Sequence, residues 1–195
     1  MKRRLALALA LALLGLVPLG AYAARSSTYA TIDRCLDAGS AWNYRSNACE
    51  PALAGPVDRI YIDKSEHWMA VYRGGQIIRE FRVALGRGGL KPKSQAGDGR
   101  VPEGVYAISA HNPDSAYHLS LRISYPTPEQ AAEAASRHVN AGGDIMIHGL
   151  PNGREWIGSR QRTVDWTDGC IAVTDREMDW LFQNVPDGTP VEIRA

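Results

Sequence analysis

The alternation of apolar and polar positions after residue 57 predicts a series of short strands. Residues 59–63 and 68–72 are rich in β-branched and aromatic side chains, which favour strands. Arg73-Gly74-Gly75-Gln76 follows them, and its glycines suit a hairpin turn. Similar patterns predict further strands at 77–85, 105–109, 119–124, 144–148 and 190–193. We therefore expect a mostly β domain that begins with a β-meander.

Two stretches have a helical pattern instead. Pro128 suits the first position of a helix, and the alanines that follow it have high helix propensity, so we predict a helix at 128–138. Residues 175–184 carry apolar side chains at the spacing of an amphipathic helix. The expected fold class is therefore mostly β with two short helices.

The chain begins with a basic and then an apolar segment. Lys2-Arg3-Arg4 precedes an apolar run that ends near Val17, and Ala21-Tyr22-Ala23 places small residues where a signal peptidase reads them. The run is too short to favour a membrane span, and no second one follows. We predict a secretory signal peptide at 1–23, export to the periplasm or cell envelope, and no stable membrane insertion after cleavage. An uncleaved anchor is the alternative.

Charge and composition limit the partners of the mature chain. Removal of the predicted signal peptide deletes three positive charges and changes the formal net charge from +1 to −2. A chain so close to neutrality lacks the basic surface that nucleic-acid binding requires, so no nucleic-acid partner is expected. Residues 24–56 are polar and irregular, with a short helix expected at 29–36. We interpret them as an N-terminal appendage to a single domain at 57–195.

The three cysteines differ in their surroundings. Cys35 and Cys49 flank a short polar loop, which they can close as a disulfide in an oxidising compartment; two free thiols are the alternative. Cys170 then has no partner, and an unpaired thiol in such a compartment points to a chemical use. His148 ends a predicted strand upstream of it. A nearby imidazole can generate the reactive thiolate near neutral pH.

These residues predict a site for thiol acyl transfer. Gly169 lets the backbone approach an acyl carbon closely, and the N–H groups of Gly169 and Cys170 can point at a developing oxyanion. His148, Cys170 and Asp165 lack the spacing of a metal site, so neither a metal nor another cofactor is expected. The alternatives are a cysteine that only fills space and a histidine that belongs to the core.

Several segments together resemble the L,D-transpeptidase catalytic domain, a family of cysteine enzymes that cross-link peptidoglycan. Ile147-His148-Gly149 and Thr167-Asp168-Gly169-Cys170-Ile171 match its signature, in which a loop joins an Ile-His-Gly-like strand end to Ser/Thr-x-Gly-Cys. The resemblance covers residues 57–195 and leaves 24–56 outside. It implies an L,D-transpeptidase-like β-sandwich or barrel with a catalytic Cys-His cleft. Further matching segments are 62–65, 84–87, 97–106, 121–126 and 187–191.

The resemblance implies a role for each residue of the signature. Cys170 would attack the bond between meso-diaminopimelate and the terminal residue of a stem tetrapeptide, and a carbapenem would acylate the same thiol. His148 would activate the thiol and protonate the leaving amine, while the carbonyl of Gly149 would orient the imidazole. Backbone N–H groups around Gly169 would hold the oxyanion.

Three classes of function stay open at this point. An amine of a second stem peptide, or of a wall-anchored protein, would resolve the thioester in a transpeptidase. Water at the same step would make the protein a hydrolase that trims or cuts stem peptides. A non-catalytic wall-binding module is the third class, and the presence of both His148 and Cys170 argues against it.

Two positions depart from the pattern of the family. Asp168 stands where many members carry histidine, and Ala172 stands where many carry arginine. The carboxylate of Asp168 is expected to raise the pKa of the neighbouring thiol. Arg160 and Arg162 are candidates to replace the missing cation as binders of a substrate carboxylate, with solvated charge as the alternative. The other residues predicted to bind substrate are His118, Trp156, Trp166, Thr167 and Asp168.

Overall fold

The computed structural model describes residues 27–195. The predicted signal peptide at 1–23 lies outside the described residues, as does the beginning of the predicted appendage. Within 27–195, no helix has both the length and the apolar character needed to cross a membrane.

The described elements follow one another in a mostly β order. The N-terminal part contains helix α1 at 27–37 and strands β1 (Ala41–Asn43) and β2 (Ala48–Glu50). The domain after it contains β3 (Arg59–Asp63), β4 (Trp68–Arg73), β5 (Gln76–Arg82), β6 (Gly104–Ser115), β7 (His118–Ile123), α2 (Pro128–Ser136), β8 (Met146–His148), β9 (Ile171–Ala172), α3 (Asp175–Asn184) and β10 (Pro190–Arg194). A 3₁₀ segment, Glu155–Thr163, lies between β8 and β9.

Eight strands form one mixed sheet, in the order β5-β4-β3-β10-β6-β7-β8-β9. The pairs β3–β10 and β8–β9 are parallel, and the other neighbours are antiparallel. The N–H of Ala84 donates to the carbonyl of Ala172 at 3.0 Å, and the reverse bond measures 2.9 Å. Because Ala84 follows β5 and Ala172 belongs to β9, these bonds join the two edges of the sheet. The sheet therefore closes on itself like a barrel.

The alternation read from the sequence places the core. In β3, Ile60 and Ile62 are fully buried, while the residues between and beside them are partly or fully exposed. Apolar residues of the other strands and of α3 fill the same interior, among them Phe81, Leu121, Ile147, Ile171, Met178 and Leu181. The structure thus confirms a mostly β fold with short helices.

Both helices predicted for the domain are present, and each begins with a capping box; the short helix predicted at 29–36 is present as well, as α1. In α2 the box joins Thr127 and Gln130, and in α3 it joins Thr174 and Glu177. Helix α3 has the predicted bounds, whereas α2 ends at Ser136 rather than at residue 138.

Strand boundaries that depend on distant partners differ from the predictions. Strand β6 runs well beyond the predicted 105–109, because its first residues pair with β10 and its later residues pair with β7. Strand β5 ends at Arg82 rather than at residue 85, since the chain then leaves β4 and pairs with β9 through Ala84. Strand β8 begins at Met146, two residues later than predicted.

The N-terminal part is held together by its own small core. The disulfide predicted between Cys35 and Cys49 is present, and Cys170 is a free thiol. Cys35 packs with Ile32, Leu36 and Trp42 in a buried cluster that also contacts Tyr44. Sequence reasoning missed the hairpin β1–β2, because three-residue strands carry too little alternation to be recognised. We refer to residues 27–50 as the appendage.

Candidate active site

The structure brings His148 and Cys170 to the same region of the sheet. His148 ends β8 and pairs with Ala172 of the parallel strand β9, while Cys170 lies directly before β9. Side chains two residues apart on a strand share a face, so Cys170 and His148 lie on the same face of neighbouring strands.

The imidazole of His148 is oriented by the next residue. Its Nδ1 lies 2.7 Å from the carbonyl oxygen of Gly149, a contact that assigns the proton to Nδ1 and leaves the lone pair on Nε2. The side chain is 4 % exposed and is covered by Tyr117 and Trp166, whose ring centroids lie 4.6 and 5.6 Å from that of the imidazole. Burial lowers the pKa of His148, and the smaller effect of the Gly149 carbonyl opposes it. The imidazole is therefore neutral near pH 7.

Two glycines allow the backbone to approach its neighbours at this site. A Cβ at Gly149 would lie 2.5 Å from Oδ1 of Asp175, which accepts a 2.7 Å hydrogen bond from the N–H of Leu150. Gly169 has a φ of +126°, and a Cβ there would lie 2.8 Å from the carbonyl oxygen of Arg100. Any larger residue would push His148 or Cys170 out of position.

The thiol of Cys170 is half-buried, with Sγ 3.5 Å from the carbonyl oxygen of Asp144. Burial raises the pKa of Cys170; the N–H of Met146 opposes this, and the charge of Asp168 adds to it. The effect of Asp168 has the predicted sign, but burial is the larger cause. The carboxylate of Asp168 also lies 2.5 Å from the guanidinium of Arg87, and both groups are exposed to solvent. The thiol is therefore protonated near pH 7 and needs a base.

A cavity of about 440 Å³ opens beside Cys170. Its lining includes two cations, Arg87 and Lys93, and two carboxylates, Asp144 and Asp168. The ammonium of Lys93 lies 2.9 Å from a carboxylate oxygen of Asp98, which fixes its position. Sequence reasoning missed Arg87 and Lys93, since they lie in a glycine-rich stretch to which no binding role is assigned from the sequence. The signal that could have identified these two residues is the presence of basic side chains within a glycine-rich stretch.

Thr167 and Trp166, both predicted to bind substrate, contact Cys170 and His148 respectively. The hydroxyl of Thr167 donates to the carbonyl of Cys170 at 2.7 Å and accepts from the N–H of Gly169 at 3.2 Å. This bond engages an N–H that was predicted to hold the oxyanion. Trp166 packs on the imidazole of His148, and its Nε1 donates to Oε1 of Gln161 at 3.0 Å.

The other predicted binders lie apart from the thiol. His118 and Trp156 line a second cavity of about 540 Å³, together with residues of α1 and α3. The guanidinium of Arg162 donates to the hydroxyl of Tyr44 in the appendage. Arg160 is exposed on the 3₁₀ segment and is not among the residues that line the cavity at Cys170. Of the predicted substrate-binding set, Asp168 is the residue that lines it.

Alkylation of Cys170 by iodoacetamide is expected to be slow at pH 7 and to rise with pH. Because burial raises the thiol pKa, the midpoint should lie above that of an unperturbed cysteine, about 8.5. This midpoint is measured from second-order rate constants of alkylation, obtained by intact-mass spectrometry of the native protein at several pH values. The unreduced protein in denaturant is the control and should titrate near the unperturbed value. A native midpoint at or below that of the control would contradict the prediction.

Comparison with known proteins agrees with this geometry. Residues 57–193 match the family model of the L,D-transpeptidase catalytic domain. The chain is 29% identical over 139 residues to YafK of Escherichia coli K12, whose name describes it as a candidate L,D-transpeptidase. The match covers 68% of this chain and 49% of YafK, so the chain spans about half the length of that relative.

The fold is similar to crystal structures of Pgp2, the helical cell shape determining protein from Campylobacter jejuni. Pgp2 and a single-residue mutant of it give TM-scores of 0.53 and 0.54, each at 25% sequence identity. The superpositions cover 73% and 72% of this chain and 50% and 47% of theirs. Since the family model matches far more than half of the residues, the chain belongs to the L,D-transpeptidase catalytic domain family.

Proposed function

We propose that this protein is a peptidoglycan L,D-transpeptidase that acts in the cell envelope through a thioester at Cys170. The observation that carries the proposal is the face shared by His148, at the end of β8, and Cys170, directly before β9. A neutral imidazole, oriented by Gly149, and a protonated thiol are the two partners that general-base catalysis requires.

The proposed first half-reaction uses these two groups. Nε2 of His148 takes the proton of the Cys170 thiol while the sulfur attacks the carbonyl carbon of meso-diaminopimelate that is bonded to the terminal residue of a stem tetrapeptide. The C–N bond to the terminal residue breaks, and the imidazolium protonates the leaving amine. The thioester and the neutral imidazole remain. The N–H of Cys170 is the proposed oxyanion donor, since the N–H of Gly169 already donates to Thr167.

The charges beside the thiol support this substrate class. The side chain of meso-diaminopimelate ends in an ammonium and a carboxylate, and the cavity at Cys170 offers carboxylates and cations to match them. Arg87 is exposed, and its guanidinium can exchange the carboxylate of Asp168 for that of a substrate. We assign to Arg87 the carboxylate-binding role that sequence reasoning gave to Arg160 and Arg162. Asp168, and Asp144, whose carboxylate also lies 2.7 Å from the guanidinium of Arg122, are then the proposed partners of the ammonium.

The second half-reaction decides between transfer and hydrolysis. An acceptor amine, from a second stem peptide or a wall-anchored protein, gives a new amide bond, whereas water releases a tripeptide. Tyr117 and Trp166 cover the imidazole that must deprotonate either nucleophile. Asp144 and Asp168 favour an incoming ammonium group over neutral water. The charge of the cavity therefore supports transfer as the main reaction, whereas the cover of the imidazole affects both nucleophiles alike.

Tetrapeptide muropeptides test this partition. The protein without residues 1–23 is incubated with them, with and without excess D-amino acid, and the products are separated and weighed by mass spectrometry. We expect exchange of the terminal residue, or dimers joined between two diaminopimelate residues, to exceed the tripeptide. The Cys170→Ala variant should yield none of these products. Tripeptide as the only product of the unmodified protein would identify a hydrolase instead.

A further inference from the structure

The appendage, which lies outside the family match at 57–193, contacts the domain at several points, and one of these contacts is made by a single hydroxyl group. Nη1 of Arg162, on the 3₁₀ segment, donates to Oη of Tyr44, and Oη donates to Oε1 of Glu177 on α3 at 3.3 Å. Burial raises the pKa of Tyr44 above its usual range, so the hydroxyl keeps the proton that it donates. We call Tyr44, Arg162 and Glu177 the Tyr44 bridge.

One side of the Tyr44 bridge leads to the aromatic cover of the imidazole. Arg162 lies between Gln161 and Trp166 along the chain. Nε2 of Gln161 donates to the carbonyl of Ala172 at 3.2 Å. Oε1 of Gln161 accepts the indole N–H of Trp166 at 3.0 Å. The Trp166 ring in turn lies 5.6 Å from the ring of His148. The position of the 3₁₀ segment therefore determines how Trp166 covers His148.

The other side of the Tyr44 bridge leads to the backbone of His148. Glu177 is 1 % exposed, and its Oε2 accepts from the N–H and the hydroxyl of Thr174 at 2.9 and 2.8 Å. Val173, which precedes Thr174 in the chain, donates its N–H to the carbonyl of His148 at 3.0 Å. Glu177 thus fixes the start of α3, against which the chain at His148 is packed.

A second contact holds the 3₁₀ segment to α1. The N–H of Ser159 donates to Oδ1 of Asp33 at 2.8 Å, and the hydroxyl of Ser159 donates to the carbonyl of Tyr29 at 3.3 Å. A Cβ at Gly158 would lie 2.7 Å from Oδ2 of Asp33, so the backbone of the 3₁₀ segment is in close contact with the Asp33 carboxylate there. The disulfide between Cys35 and Cys49 joins α1 to β2 and therefore keeps this contact and Tyr44 in one unit.

We propose that Tyr44 is a positioning residue for His148, and that the disulfide-closed appendage supports the catalytic centre rather than forming a separate module. Its hydroxyl holds the 3₁₀ segment against α3, and so keeps Trp166 and the His148 backbone in the arrangement that proton transfer needs. The inference rests on the proposed function, in which His148 is the base.

The burial of Arg162 explains why one hydroxyl has this influence. Nε of Arg162 donates to the carbonyl of Ser159 at 2.8 Å, but its Nη2 has no hydrogen-bond partner among residues 27–195. Loss of the Tyr44 hydroxyl also removes the partner of Nη1, and an arginine with two unpaired nitrogens away from water is expected to move its side chain towards water. Movement of Arg162 would displace the 3₁₀ segment to which it belongs.

The Tyr44→Phe variant tests the proposal, because it removes the hydroxyl and keeps the ring over which Arg162 packs at 5.1 Å. Acylation by a carbapenem is followed by stopped-flow spectroscopy. We expect the limiting rate constant to fall about 10-fold, the effect of losing one hydrogen bond to a charged group. The carbapenem concentration that gives half the limiting rate should stay unchanged, since Tyr44 lies outside the cavity at Cys170.

The pH dependence provides a readout that a purely structural role would not change. When Trp166 no longer excludes water, the pKa of His148 should rise from its lowered value towards that of a free imidazole, about 6.5. The acid limb of the acylation profile should move up in pH with it. NMR titration of the His148 ring nitrogens measures the same shift without a reaction. Arg162→Gln breaks the Tyr44 bridge from its other side and should change both quantities in the same direction.

The adjacent residue provides a matched control. Arg45 pairs with Glu80 at 2.9 Å on the surface, away from the 3₁₀ segment, so Arg45→Gln should change neither the rate nor the His148 titration. Tyr44→Phe with an unchanged rate and titration would overturn the proposal, and so would a variant that only melts at a lower temperature. If the unmodified protein forms no adduct, the proposed function fails, and the NMR titration still decides whether Tyr44 acts on His148.

Discussion

Replacement of Cys170 by alanine is expected to abolish covalent adduct formation with a carbapenem, whatever the incubation time. The reaction needs a nucleophilic sulfur, and the other two sulfur atoms of this kind in the described chain are joined in the disulfide between Cys35 and Cys49. The substitution removes a single atom at a half-buried position, so the fold should persist. Intact-mass spectrometry shows the adduct as an added mass on the unmodified protein and as no change on the variant.

The control for this experiment is the stability of the variant. Its thermal unfolding should remain cooperative and close to that of the unmodified protein, because the core beneath the site consists of Ile147 and Ile171 on the opposite face. An adduct on the Cys170→Ala variant would mean that the nucleophile lies elsewhere, and the proposed reaction would then be wrong.

The His148→Ala variant is expected to slow acylation by roughly 10² to 10⁴-fold, the usual contribution of a positioned general base. The effect should be at the large end for this protein, because burial raises the pKa of Cys170 and little thiolate exists without the base. Stopped-flow measurement at saturating carbapenem separates this loss of rate from a loss of affinity. A variant that acylates within a few-fold of the unmodified protein would contradict the role of His148.

The pH profile of the unmodified protein gives an independent check on the same role. The pKa of His148 is lowered by burial, so the neutral base persists as the pH falls to about 6.5, the value of a free imidazole, and is lost only below it. Acylation should fall on that acid limb and rise towards alkaline pH as the thiol ionises. His138→Asn serves as a control, since this exposed histidine has a φ of +57°, which asparagine tolerates. Its profile should match that of the unmodified protein.

Local sequence patterns predicted the parts of this protein that depend on nearby residues. The bounds of α3 follow from a capping box and a helical spacing, and β3 follows from alternation over five residues. The disulfide follows from two cysteines on a short loop, and the candidate pair His148 and Cys170 follows from the residues beside them. Each of these signals lies within about twenty residues of the chain, and the physical cause acts over the same range.

The tertiary structure decided which charged and aromatic side chains surround the thiol. Arg87 and Lys93 come from a loop distant in sequence, yet they line the cavity at Cys170. Arg162, which is much nearer to Cys170 in sequence, turns instead to Tyr44 in the appendage. The pairing of β9 with β8, and of Ala172 with Ala84, sets these positions. Such contacts depend on how the sheet closes, and no local pattern carries that information.

The sequence by itself determined the mostly β fold, the two helices, the disulfide and the two candidate catalytic residues, because periodicity and chemical type are properties of the residues in order. Only the tertiary structure decided that the appendage packs against the 3₁₀ segment and α3 through Tyr44 and Asp33. It likewise decided how deeply His148 and Cys170 are buried. Burial and long-range contacts arise when distant segments exclude water from each other, and that exclusion sets the pKa values on which the proposed chemistry depends.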